Sequence, residues 1–252
     1  MTKPVIVNVR TAGAQDASDP TDANAADQST YSNYAANANI INGFDYPFLN
    51  TGSGWDGAND FTTSSKPLAY IENHTPTNIP GWFAIQAFEE SGAHRMPTTE
   101  QMEWLTYRAL VTGVEGILFY SYLLSDEDMI ADVKTLCTTL DTKDINDILA
   151  GTNKDDKATK ISGSNIEWAY RLYNDSYYLI VVDNKPETGS SRSYNFECDL
   201  EARFDDFIYA SNWLDSPSTT ITTTTVGSTK KKFSSNESFN VGEYKVYRFL
   251  CP

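Results

Sequence analysis

The sequence predicts an α/β region followed by an all-β region, and three observations carry that prediction. Residues 81–122, GWFAIQAFEESGAHRMPTTEQMEWLTYRALVTGVEGILFYSY, read as a buried strand, an acidic loop, a capped amphipathic helix and a second buried strand. Two further apolar runs, PVIVNV and IINGFDYPF, come before that unit. After Lys160 the pattern changes to short β-type runs separated by Gly, Asn, Pro and Ser. Parallel neighbours need a crossover long enough to hold a helix, so strand–helix–strand order predicts a parallel sheet. Short runs at turn spacing predict antiparallel ones.

The central unit is the best specified. Residues 82–88 are almost continuously apolar, as expected of a strand covered on both faces, and Gln86 is their one polar member. Thr98 is placed to cap a helix, Gln101 stands at the capping-box position three residues on, and Gly113 is suited to its C-terminal turn. Met102, Leu105, Ala109 and Leu110 recur at helical spacing, which predicts one face packed on a sheet. Residues 116–122 form the next strand.

Upstream, residues 4–9 predict a strand that carries Asn8, and residues 11–32 a polar loop. Residues 40–48 predict a second strand, closing on Asp45, Tyr46 and Pro47. Residues 50–65 are a polar loop that holds Trp55 and Phe61, either a binding surface or a loop packed on itself. Downstream, Ser125 or Asp126 caps a helix to about Leu140 through Ile130, Val133, Leu136 and Cys137, the last expected in the core. A helical turn over 143–150 stops at Gly151, and residues 153–160 read as a charged linker. The runs at 167–172, 177–183, 193–198, 207–210, 219–226 and 244–250 predict an antiparallel β-sandwich. The expected domains are residues 1–152 and 160–252. About four strand-plus-helix units are half of what a closed (β/α)₈ barrel requires.

Composition excludes several classes of function. The 252 residues are 40% hydrophobic with 13% aromatics, enough for a core, and the net charge is −15. That charge repels nucleic-acid phosphates and anionic membrane surfaces, which leaves neutral or cationic partners. The one dense basic run, Lys230 to Lys232, reads as a solvated loop or a guard on an edge strand. No segment has the length of apolar sequence, roughly 18 residues, needed to span a bilayer. Two histidines, His74 and His94, without paired Cys or His spacing give no zinc motif, and no cofactor is expected. There is no G-x-S-x-G, P-loop or G-x-G-x-x-G. Cys198 and Cys251 either pair or remain free thiols.

With these elements placed, KPVIVNV, IINGFDYPF, WFAIQAF and RMPTTEQMEWLTYRALVTGVEGILFYSY resemble the second half of the (β/α)₈ catalytic domain of glycoside-hydrolase-like proteins. The carboxyl-terminal region ending in EYKVYRFL is similar to the small β-sandwich that often packs on such barrels. The resemblance implies a partial TIM-type barrel of about strands five to eight, and a carbohydrate ligand or substrate. It also implies that the strand bearing the general acid in many retaining glycosidases is not among these four. The nucleophilic glutamate would stand near residues 86–90, where Gln86, an amide, occupies the most similar position.

The candidate catalytic residues are therefore Glu90, Glu89 and Asp45. Alternation along an extended strand would put Glu90 on the side of Gln86 and Phe88, with Glu89 opposite. Gln86, Tyr46, Tyr120, Tyr122, Trp55 and Asn8 are the candidate sugar-binding residues, since aromatic faces stack on sugar C–H surfaces while amides and hydroxyls bond to sugar hydroxyls. Trp82 could contribute a further ring. Each has a plainer reading: solvated loop carboxylates for Glu89 and Glu90, a turn cap for Asp45, and packing for the aromatics. His94 and Arg95 follow the acidic pair and would either tune it or form loop salt bridges.

Canonical glycoside hydrolysis uses two carboxyl groups, one on each side of the scissile bond. The expected function is hydrolysis of a poly- or oligosaccharide, with the rest of the barrel supplied by an upstream half-barrel or a homo-oligomer. The alternative is a glycan-binding or structural module without catalysis. An extracellular or periplasmic location is expected.

Overall fold

The computed structural model describes residues 6–10, 38–44, 79–90, 94–120, 126–142, 145, 148, 151–153, 158–162, 165–174, 176–183, 192–199, 209–212, 222–226, 230–239 and 242–250. The chain divides into two compact units, Met1–Thr139 and Leu140–Pro252.

The first unit holds a four-stranded sheet of β1 (Ile6–Arg10), β2 (Ile40–Phe44), β3 (Gly81–Gln86) and β4 (Gly116–Tyr120). Its order is β1-β2-β3-β4 and every pairing is parallel. Each new strand joins the same advancing edge, so the order never reverses as it does in a doubly wound sheet.

Register then sorts the strand residues into two faces. Trp82, Ala84 and Gln86 lie opposite Gly116, Leu118 and Tyr120, while Phe83 and Ile85 lie opposite Ile117 and Phe119. Ile6 pairs with Ile40, whose face is that of Asn42 and hence of Trp82. The second face is the drier one: Ile41, Phe83 and Ile85 are buried to within 1%. On the first face Ile6, Leu118 and Tyr120 are 44%, 37% and 48% exposed.

Helix α1 (Thr99–Val111) links β3 to β4 and starts as the sequence predicts. The Thr98 hydroxyl accepts from the Gln101 N–H at 3.3 Å, and the Gln101 side-chain oxygen accepts from the Thr98 N–H at 3.0 Å. The helix ends at Thr112 and Gly113, whose φ of +90° is one that glycine adopts without strain. Burial of α1 goes beyond the expected single face. Met102, Leu105 and Ala109 are buried, and so is a second stripe of Trp104, Tyr107, Arg108 and Val111. Arg108 escapes isolation there by lying over the Trp104 ring, 5.1 Å from its centre.

Helix α2 (Glu127–Thr142) is capped by Asp126, whose carboxylate accepts from the Met129 N–H at 2.7 Å. Thr99 of α1 donates to the Asp132 carboxylate of α2 at 2.5 Å. Its buried face runs through Met129, Leu136 and Leu140. Cys137, expected in the core, is exposed. It stands one position past Leu136, about 100° round the helix and off the stripe.

The second unit contains two antiparallel sheets. One has the order β10-β13-β8-β7-β5, the other β11-β12-β9-β6. The strands are β5 (Thr152–Asn153), β6 (Ala158–Ser162), β7 (Ile166–Tyr173), β8 (Ser176–Asp183), β9 (Arg192–Asp199), β10 (Tyr209–Asn212), β11 (Thr222–Val226), β12 (Lys230–Phe239) and β13 (Tyr244–Leu250). Strand β8 is buried along its whole length, which fits its place between β13 and β7. Tyr170 and Tyr177 stack at 5.1 Å in this core. Ile145 and Ile148, both helical, are completely buried.

Two expectations fail in this unit. Residues 153–160 are not simply a linker, because β6 begins at Ala158 and pairs with β9 through an irregular register. Lys230 to Lys232 are not a loop: they open β12, where Lys230 and Lys231 pair with β11 alone and Lys232 with both β11 and β9. Lys232 is the Cα register partner of Asp199.

Trp82 also has a structural role. A methyl group on Gly116 would come within 2.6 Å of the Trp82 indole nitrogen, so the ring lies across the glycine at the amino ends of β3 and β4. The pair is a cross-strand packing contact at the end of the sheet away from Gln86 and Tyr120. We expect Gly116→Ala to destabilise the first unit by about 1–3 kcal/mol through overpacking, and chemical denaturation followed by tryptophan fluorescence measures it.

Candidate functional site

The carboxyl ends of β3 and β4 coincide. Gln86 and Tyr120 are the last residues of their strands and are register partners. The Ala87 N–H donates to the Tyr120 carbonyl at 2.6 Å, so the ladder runs one residue further. The strand nevertheless ends two residues before the predicted 82–88 does, and alternation does not extend to Glu90. Instead Glu90 and His94 form an isolated antiparallel bridge: the Glu90 N–H donates to the His94 carbonyl at 2.9 Å, and the His94 N–H donates back at 3.0 Å.

Gln86 explains why the chain turns there. Its side chain is fully buried, and its amide nitrogen donates to the Arg95 carbonyl at 2.9 Å and the Phe88 carbonyl at 3.3 Å. The Arg95 guanidinium in turn donates to the Gln101 side-chain oxygen at 3.0 Å, the oxygen that also accepts from the Thr98 N–H. Strand end, acidic loop and helix start are thereby held by one chain of hydrogen bonds. A buried amide with both donor positions spent on backbone carbonyls is a positioning group.

Three rings complete the strand ends. Phe88 is buried and meets Tyr120 edge to face at 5.6 Å, and His94 in a similar arrangement at 5.6 Å. Tyr120 keeps about half its surface open to solvent. Glu89 and Glu90, which follow Phe88 directly in the chain, are both exposed. The structure thus pairs Gln86 with Tyr120 at the strand ends, sets Phe88 against both Tyr120 and His94, and bridges Glu90 to His94 through the backbone, with Glu89 between Phe88 and Glu90 in the chain. Phe88 was legible only as a strand residue, because nothing in its local sequence signals that the strand stops short and turns its ring toward Tyr120.

Asn8 lies within β1, at the register position opposite the buried Asn42 of β2. Asp45, Tyr46, Trp55 and Tyr122 fall outside the described residues. So does Cys251, and of Cys198 only the backbone, in β9, is described. Among the described residues no group of three or more His, Cys, Asp or Glu is placed to hold a metal ion, and no helix is long and apolar enough to cross a membrane.

We expect Gln86→Leu to leave both carbonyls without their donor, to lower stability by about 1–3 kcal/mol, and to speed amide exchange at Glu90 and His94. Hydrogen-exchange mass spectrometry of the 88–98 segment reads this effect. Unchanged exchange there would remove Gln86 from its positioning role.

Comparison with solved structures finds glycoside hydrolases as neighbours. A protein from Bacteroides fragilis provisionally named an α-galactosidase aligns at 12% identity and a TM-score of 0.46, over 91% of this chain and 52% of that one. A glycoside hydrolase family 30 subfamily 8 xylanase from Clostridium acetobutylicum aligns at 11% identity and 0.38, over 98% and 55%. The α-fucosidase of Thermotoga maritima, solved with fucose, aligns at 10% identity and 0.39, over 90% and 56%. The chain spans about half the length of these structures. No protein-family model matches the sequence, and no curated protein matches it.

Proposed function

We propose that this chain is a carbohydrate-active protein of glycoside-hydrolase type, in which residues 1–152 form a partial (β/α)₈ barrel of about strands five to eight and residues 160–252 a β-sandwich. Its ligand is a neutral poly- or oligosaccharide held at the carboxyl ends of the parallel strands. The observation that carries this reading is that exposed carboxylates and a half-exposed aromatic ring stand at paired strand ends: Glu89 and Glu90 soon after the end of β3, and Tyr120 at the end of β4. In parallel α/β architectures the carboxyl edge is where ligands bind. The half-exposed Tyr120 offers one ring face to a pyranose and its hydroxyl to a sugar oxygen. A net charge of −15 disfavours acidic sugars and favours neutral ones. An extracellular or periplasmic site of action suits a polymeric substrate.

For hydrolysis, Glu90 or Glu89 supplies one carboxyl group and Asp45 assists at the neighbouring strand end. The second carboxyl group of the pair comes from strands beyond these four. Tyr46, Trp55 and Tyr122 are assigned to sugar contacts and Gln86 to holding the loop, whereas Asn8 stands in register with Asn42 and Trp82, toward the other end of the sheet, and is left out of the site. No cofactor is required by this chemistry.

A second reading has a specific observation in its favour. Gln86 occupies the position most like that of the nucleophile, yet it is an amide, buried and committed to backbone. A binding module without catalysis would look like this.

Assays on aryl glycosides and polysaccharides, run beside a glycan array, separate the two readings. For the enzyme we expect turnover that falls by about 10²–10⁴-fold in Glu90→Gln or Glu89→Gln. For the module we expect binding without turnover, weakened roughly tenfold or more by Tyr120→Ala. A protein that neither turns over nor binds glycans would overturn both.

A further inference from the structure

The bridge beyond β3 sorts the two acidic residues to different sides. Glu90 and His94 exchange both backbone hydrogen bonds, the Glu90 N–H donating at 2.9 Å and the His94 N–H donating back at 3.0 Å. An antiparallel pair bonded in this way has its Cα atoms about 5.5 Å apart and both side chains on one side of the ladder. The Glu90 carboxylate and the His94 imidazole are therefore cross-strand neighbours. Successive extended residues point opposite ways, so Glu89 stands on the other side. Counting one step back along each arm of the bridge sets Glu89 against Arg95, whose guanidinium donates to Gln101 at the start of α1.

Ring contacts, a separate observation, show which side is turned to the strand ends. The His94 ring meets Phe88 at 5.6 Å with the planes at 65°, and Phe88 meets Tyr120 at 5.6 Å with the planes at 88°. His94 and Tyr120 thus both rest on the buried Phe88 ring. The side of the bridge that carries His94 is the side turned to the end of β4. Glu90 shares that side, and Glu89 does not.

We infer that Glu90, rather than Glu89, is the carboxylate that meets the ligand at this strand end, and that His94 is its positioning residue, an imidazole N–H that donates to the Glu90 carboxylate. The ligand in this inference rests on the proposed sugar site, whereas the pairing rests on the bridge and the rings alone. An exposed glutamate has several free torsions, and ordering them when a ligand arrives costs entropy. A charge-assisted bond from a neighbour already packed on Phe88 orders them beforehand. Glu90 then presents an oxygen to a hydroxyl of a neutral sugar from a fixed place on the Tyr120 side. Glu89, on the side of Arg95, belongs to the loop.

Nitrogen-15 spectra of the imidazole rings in the full chain test the pairing without any sugar. The chain has two histidines, His74 and His94, so the ring signals that vanish in His94→Gln belong to His94. Glu90→Gln should shift those signals, and by more than Glu89→Gln does. Equal shifts, a larger one from Glu89→Gln, or none from either overturns the inference. In the aryl-glycoside and glycan-array assays, Glu90→Gln should cost about tenfold or more beyond Glu89→Gln. His94→Phe keeps a ring against Phe88 but has no N–H, and should lower kcat, or affinity if there is no turnover, by roughly tenfold. His94→Gln restores a donor without the ring and should recover part of that loss. A wild-type response in His94→Phe with loss in His94→Gln would make His94 a packing residue and overturn its role. Both glutamates are exposed, so their variants decide the matter if a His94 variant does not fold. A chain with the expected spectra that neither binds nor cleaves a glycan keeps the pairing and removes the sugar reading; one that acts on glycans with equal loss from both glutamates does the reverse.

Discussion

The amide of Gln86 is the constraint on which the candidate site depends. A buried polar group must find partners, and this one finds them in the Arg95 and Phe88 carbonyls. Those bonds pull the returning segment against the end of β3, and the Arg95 guanidinium passes the restraint to Gln101 at the start of α1. The Glu90–His94 bridge can then form, and Phe88 is set edge to face between His94 and Tyr120. Remove the amide, and the acidic residues belong to an ordinary loop. A helix cap and a strand end thus share one set of polar atoms, which makes the geometry of the acidic loop a property of both elements.

The sheet supplies the second constraint. Its register sorts the side chains into a face with the buried Ile41, Phe83 and Ile85 and a face that carries Trp82, Ala84, Gln86 and, at the edges, apolar side chains open to water. The Trp82 ring fills the space over Gly116 at one end of that face, while Gln86 and Tyr120 close the other. The packing contact and the candidate site lie at opposite ends of the same two strands. That separation lets the strand ends vary without disturbing the contact that sets β3 against β4.

Features written in local sequence were legible from it. The Thr98–Gln101 box, the Gly113 turn and the Asp126 cap depend on residues three or four apart, and the parallel strands announced themselves as apolar runs. What escaped depends on partners far along the chain. Gln86 reads as a candidate ligand contact until its donors are traced to a carbonyl nine residues away. Strands β6 and β12 are rich in Lys, Ser and Thr, and only pairing with β9 makes strands of them. Cys137 sits one helical position from a buried leucine, an offset that composition cannot resolve. The two-sided burial of α1 has the same origin, since its second stripe of Trp104, Tyr107, Arg108 and Val111 contains a charge that pattern reading assigns to solvent.

The order of strands also governs when each sheet can be finished as the chain leaves the ribosome. In the first unit every strand pairs with the one made just before it, so β2, β3 and β4 can each dock as soon as they emerge. In the second, β13 is made after the other described strands, yet it lies inside its sheet between β8 and β10. Until Tyr244–Leu250 has been released, β8 and β10 have no common neighbour and their edges stay exposed. Sequential docking closes small loops and is fast, whereas a central strand made last closes long ones and is slow. Synthesis therefore leaves the carboxyl-terminal unit dependent on its final residues while the amino-terminal sheet is already paired.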